Sequence, residues 1–249
     1  DNNSSSIIIE VLEGKQKVLL VFASAHPDLA AIKSALETNN SYDLEIKSVD
    51  DNINPENYDL LILHGLPSLE RNAASILNIA EQKQIPLLFI QTQQTAALLA
   101  NRAGSPIIIQ PGRANANDVS PIIDENFSLF NVSEDLKGII KKLSPLKSIY
   151  GEYSLSNGAV VLFNQQIGSV ITKNPLMAFS EINNRRIGTL AGEGIWRWKL
   201  INYQIKENHD AFNEFVNKTV QYLSAKTDKR KFRVYTEKPR FSENERIIL

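Results

Sequence analysis

Apolar residues along this chain follow two rhythms. KVLLVFAS (17–24), YDLLILHG (58–65) and IPLLFI (85–90) are nearly continuous apolar runs, as expected of strands covered on both faces. Between them the apolar positions recur every three or four residues. HPDLAAIKSALETNN (26–40) places Leu29, Ile32 and Leu36 on one stripe, with Pro27 suited to a helix's first turn. YDLEIKSV (42–49) alternates like an edge strand. Ser68 is expected to cap a helix carrying Leu69, Ala73, Ile76, Leu77 and Ala80. IPLLFIQTQQTAALLA (85–100) then repeats the unit as strand, polar turn and helix.

Strands and helices alternating at this length imply an α/β fold with a doubly wound, mostly parallel sheet in three layers, flavodoxin-like in strand order. SPIIIQPGRAN (105–115) brings a Pro-Gly turn, and NDVSPIIDENFSLF (117–130) reads as an irregular or short-strand insertion. SEDLKGIIKKLS (133–144) is a compact helix with Ser133 as its cap, acids in its first turn and Leu136, Ile139, Ile140 and Leu143 facing inward. GAVVLFNQQIG (158–168) is strand-like, and PLMAFSEINNRRIGTLAGEG (175–194) reads as a late β-hairpin turning at Asn183-Asn184. HDAFNEFVNKTVQYLSA (209–225) sets Phe212, Phe215, Val216, Val220 and Leu223 on one helical face. The pattern divides the chain into a linker over 1–15, one α/β domain over 16–225, and a C-terminal β-like arm or the start of a β domain over 226–249.

Composition narrows the function classes. In 249 residues the net charge is -1 with Lys and Arg scattered, which argues against a nucleic-acid partner. No apolar run approaches the roughly 18 residues of a membrane span, so this chain is not expected to cross a membrane itself. Cysteine is absent, which removes thiol catalysis, thiolate metal sites and disulfides together. The chain opens with Asp1 and its one methionine is Met177, suggesting a processed product or a piece of something longer. The initial DNNSSS lacks the basic and apolar regions of a signal peptide. There is no internal repeat, phosphate-binding glycine loop or His-x-x-x-His spacing, so no cofactor and no metal is expected, and a metal site from His26, His64 and a carboxylate is the minor alternative because two histidines from separate loops carry no diagnostic spacing.

DLLILHGLPS followed by IPLLFIQTQQTAALLA resembles the class I glutamine amidotransferase-like superfamily. In that family a pattern like DGLILPGGP precedes a helix, and PVLGICLGHQLLA carries the nucleophile. The resemblance aligns Pro86 with the family's proline and puts Gln91 where the cysteine belongs. The late His-Pro-Glu of the family falls on IGTLAGEGIWRWKL (187–200), where Glu193 stands near the glutamate and Ala191 and Gly192 supply no imidazole. A glutaminase needs a thiolate activated by an oriented histidine, and glutamine cannot replace a thiol. The resemblance therefore implies a pseudoenzyme. GEGIWRWKL together with the final helix and KTDKRKFRV is similar to a narrower group, the amidotransferase-like domains of bacterial envelope membrane proteins, often beside von Willebrand A-type domains. That likeness implies a periplasmic domain tethered through flanking segments, with a protein partner or other domains of the same protein as its contacts.

In such a sheet ligands bind beyond the strands' carboxyl ends, where the loops after strands 1 and 3 part. Ser24, His26 and Asp28 follow the first strand, His64 and Ser68 the third, and Gln91, Thr92 and Gln93 the fourth, with Glu193 arriving late. One reading is a crevice for a small ligand. Another is a hydrolytic dyad of Ser24 or Ser68 with a histidine, acting on a small molecule or glycan. The plainer reading has both histidines satisfying loop groups. Trp196, Arg197 and Trp198 form a candidate recognition surface, unless an indole pins the last helix to the sheet. A binding or scaffolding module, a hydrolase and a structural spacer all remain open at this level.

Overall fold

The computed structural model describes residues 14–225. The linker expected over 1–15 lies outside these residues save for positions 14 and 15, and the arm expected over 226–249 lies wholly outside them. The described chain is an α/β fold around one mixed nine-stranded sheet in the order β2-β1-β3-β4-β9-β8-β7-β5-β6. Five strands run parallel: β2 (Tyr42–Ser48), β1 (Gln16–Phe22), β3 (Leu60–His64), β4 (Leu87–Ile90) and β9 (Arg185–Leu190). From β9 outward every pairing is antiparallel, through β8 (Val170–Ile182), β7 (Val160–Ile167), β5 (Ile107–Ile123) and β6 (Leu146–Leu155). The strand beside β4 is thus the last among the described residues, delivered by a two-residue turn from β8. Asn183 and Asn184 both take positive φ, the backbone a tight hairpin needs and one asparagine tolerates.

The continuous apolar runs are buried on both faces. Successive side chains of a strand point to opposite sides. Val18 and Leu20 of β1, Ile62 of β3, and Leu88 and Ile90 of β4 join the larger core, while Leu19, Val21, Leu61, Leu63, Leu87 and Phe89 join the second. The larger core is covered by α1 (Pro27–Leu36), α4 (Glu134–Ile140), α5 (Trp196–Lys206) and α6 (Asp210–Ser224). The second is closed by α2 (Ala74–Gln82) through Ile76 and Ala80. Short α3 (Ala97–Arg102) covers a third cluster with Ile107, Ile109 and Ala178. Phe212, Phe215, Val216, Val220 and Leu223 of α6 are all buried, and the Ser133 hydroxyl accepts the Leu136 amide at the start of α4.

Two local expectations need correction, and one element is not expected at all. Ser68 caps no helix: its amide and hydroxyl engage Arg71, and α2 begins only at Ala74, leaving Leu69 87% exposed. The Pro-Gly segment and the first half of the expected insertion, to Ile123, form one long strand, β5, whose register against β6 shifts between Pro111 and Ala116, while 124–130 is irregular as expected. A proline offers no amide to a ladder, and the irregularity accommodates it without ending the strand. The segment after β9, which carries no element in the sequence pattern, winds into α5, whose apolar residues are spread around the helix rather than gathered on one stripe.

Candidate functional site

The carboxyl ends of β1, β3, β4 and β9 lie side by side, so their loops meet at one edge. Asp28, in the first turn of α1, is fully buried there. Its Oδ1 accepts the Trp196 amide at 2.9 Å and its Oδ2 the Gly194 amide at 2.8 Å. His64 Nε2 lies 3.3 Å from the same Oδ2, and His26 Nδ1 is also 3.3 Å from it. His26 Nε2 stands 3.7 Å from Glu193 Oε2, and the two imidazole rings lie 4.8 Å apart. One carboxylate therefore ties the loop after β1 to the end of β3 and to the turn before α5. Gly194 holds φ of +110°, a backbone that residues with a Cβ rarely adopt, so glycine is what brings this amide to Asp28 without strain.

The electrostatics follow from this enclosure. Burial opposes ionisation of Asp28, but the bonds from His26, His64 and the two amides outweigh it and hold the carboxyl well below the usual range. The side-chain bond to Asp28 raises the His26 pKa above its ordinary value against the opposing effect of burial, with Asp28 and Glu193 adding Coulombic support. His26 Nδ1 also accepts the Asp28 amide at 3.1 Å, making this imidazole the cap of α1. That bond needs a lone pair, whereas a bond to Oδ2 needs a proton on the same nitrogen. The tautomer with an unprotonated Nδ1 caps the helix, and a ring protonated at Nδ1 bonds the carboxylate instead.

The turn after β4 is built differently. Gln91 is 1% exposed, and among the described residues neither of its amide side-chain atoms has a hydrogen-bond partner. The Thr92 amide donates to the Thr95 hydroxyl and the Thr92 hydroxyl accepts from the Gln94 amide, a local side-chain turn. Gly65, at φ of +70°, lets the end of β3 pass close to Thr92. None of residues 91–95 has positive φ, so the strained elbow that exposes a nucleophile in hydrolases is not formed.

Of the sequence candidates, His26, Asp28, His64 and Glu193 converge. The others do not join them. Ser24 is exposed and bonds Gln94, Ser68 bonds Arg71, and Gln93 is exposed. No hydrogen bond links either serine to a histidine among the described residues, so the serine–histidine dyad is not assembled. Trp198 is no surface residue: it is 2% exposed, packs against Phe163 and Phe215, and donates its indole N–H to Ser144 O at 2.7 Å. Trp196 is only partly exposed beneath the Arg197 guanidinium, which reaches back to Pro145 O. Sequence reasoning missed the backbone amides of Gly194 and Trp196 as partners of Asp28, and Arg71, whose guanidinium donates to Ala23 O at 2.9 Å. Amides carry no side-chain signature, and they lie 166 and 168 residues from Asp28.

No protein-family model matches the sequence, and no curated protein does. Among solved structures the chain is similar to Agd3, described as a novel carbohydrate deacetylase, with a TM-score of 0.51 and 8% identity over 84% of this chain. It spans 32% of Agd3, and at this identity the likeness is one of fold. It is also similar to PurLQS from Thermotoga maritima, with TM-score 0.48 and 13% identity over 82% of this chain and 99% of that one. A Thermoplasma acidophilum protein described as a putative GMP synthase subunit gives 0.45 and 14% over 85% and 97%.

Proposed function

We propose that this chain is a non-catalytic binding or scaffolding domain on an amidotransferase-like frame, held on the periplasmic side of a bacterial membrane as part of a larger protein. The observation that carries the reading is Gln91. The position where an amidotransferase keeps its thiolate holds a buried amide on an unstrained turn, and the loop after β9 offers Ala191 and Gly192 where the histidine belongs. The polar groups that do converge at this edge are largely spent on one another and on backbone amides, as suits holding loops in place. Leu69, on the loop after β3, and Leu98, in the first turn of α3, are exposed on segments joined by the Ser68–Thr95 bridge, apolar surface of the kind a protein partner covers.

The purified chain is expected to release no ammonia from glutamine above a protein-free control. Release that disappears in Gln91→Ala would overturn the pseudoenzyme reading. Periplasmic placement draws on the sequence likeness to envelope proteins. Among the described residues no helix is long and apolar enough to cross a membrane, so tethering falls to other segments. A reporter fused to the full-length protein at this domain should be active only when it requires export, and activity restricted to a cytoplasmic reporter would refute the placement.

A further inference from the structure

His26 Nδ1 and Asp28 Oδ2 pose an electrostatic problem in the imidazole tautomer whose Nδ1 carries no proton. The nitrogen lone pair is committed to the Asp28 amide, so two electron-rich atoms face each other at 3.3 Å with no proton between them. His64 Nε2 approaches the same oxygen at 3.3 Å. A cation among the three atoms would convert this opposition into attraction.

We propose that His26, Asp28 and His64 bind one divalent transition-metal ion of the zinc class. Donors around a tetrahedral ion with bonds of about 2.1 Å stand about 3.4 Å apart. The two distances from Asp28 Oδ2 already match that spacing, and the three residues offer donor atoms within 4.8 Å of one another. His26 is partly exposed, so its ring has room for the small movement that closes the remaining edge. Loading exchanges the bond from the Asp28 amide for a coordinate bond through the same lone pair. Two imidazoles and one carboxylate suit zinc, cobalt or nickel better than magnesium or calcium, which prefer oxygen donors.

The surroundings fit the same assignment. A ligating histidine commonly gives its other ring N–H to a carboxylate, and His26 Nε2 faces Glu193 Oε2 at 3.7 Å. The Gly194 and Trp196 amides fix the Asp28 carboxylate, so the oxygen ligand is oriented before any ion arrives. The ion would clamp the loop after β1 to the end of β3. This holds whether or not the domain is catalytic.

The test uses the full 249-residue chain after removal of metals with a chelator, titrated with Zn2+ by calorimetry and with Co2+ by visible absorption. One equivalent of each ion should bind, and Co2+ should develop the intensified d–d bands of a low-coordinate nitrogen and oxygen site. His26→Ala and His64→Ala should abolish this uptake, Glu193→Gln should weaken it by about 10–100-fold, and His209→Ala should leave it unchanged. Circular dichroism checks that each variant is folded, and if His64→Ala is not, the loop variant His26→Ala decides. Absence of saturable uptake by the wild type, or uptake that survives in folded His26→Ala, would overturn the site and leave a proton as the cation this cluster takes.

Discussion

Replacing Asp28 with alanine is expected to cost about 3–5 kcal/mol of folding stability, the range for removing one member of a buried, hydrogen-bonded charge cluster. The Gly194 and Trp196 amides and the His64 ring would each lose a buried acceptor. For a domain of this size the loss corresponds to roughly 6–20 °C in Tm. Asp28→Asn should recover part of it, since one oxygen remains to accept an amide. Denaturant titration with chelator present measures the folding term free of any bound ion. The effect also has a defined pH dependence. The folded state holds the Asp28 pKa well below its unfolded value, so the unfolded chain takes up the proton first as pH falls. The wild-type advantage over Asp28→Ala should be complete at neutrality and shrink below about pH 4. His26 has the opposite sign. Its pKa is raised on folding, so its contribution is complete below about pH 6.5 and is lost as pH rises through the folded value. An Asp28→Ala loss under about 1 kcal/mol, less than one orphaned buried donor should cost, would show that this carboxylate does not hold the edge together.

Trp198→Ala should be of similar size, about 3–5 kcal/mol, because it empties a site between Phe163 and Phe215 that the surrounding strands and helices cannot close. Trp198→Phe retains ring packing but orphans Ser144 O, for an expected loss nearer 1 kcal/mol. Trp196→Ala, on the partly exposed side of the same helix, should lose much less. Melting curves of the three variants separate the roles. A neutral Trp198→Ala beside a damaging Trp196→Ala would exchange which indole pins α5.

The parallel half of the sheet was legible because its strands are short, apolar on both faces and set between helices with clear stripes. β1, β3 and β4 each show this as a continuous run. The antiparallel half was less legible. β5 carries Pro111, Gly112 and Pro121, residues that read as turns, and only its neighbours β6 and β7 supply the pairing that keeps it extended. α5 was hidden for a related reason: it buries Trp198 and Asn202 while exposing Leu200 and Tyr203, so tertiary contacts override its weak apolar rhythm.

Residue chemistry alone determined that this chain has no thiol, that a polar Gln91 follows the apolar run 85–90, and that His26 and His64 lie just after or at the end of apolar runs. Each is a matter of composition or of sequence-local order. Only the tertiary structure decided that Asp28 is the hub joining both histidines to Gly194 and Trp196, that Trp198 is core, and that Ser24 and Ser68 bond Gln94 and Arg71 and not an imidazole. Those facts depend on β9 returning to lie against β4. A backbone amide can satisfy a buried carboxylate from any point in the chain, and its geometry leaves no mark on the identity of the residue that carries it.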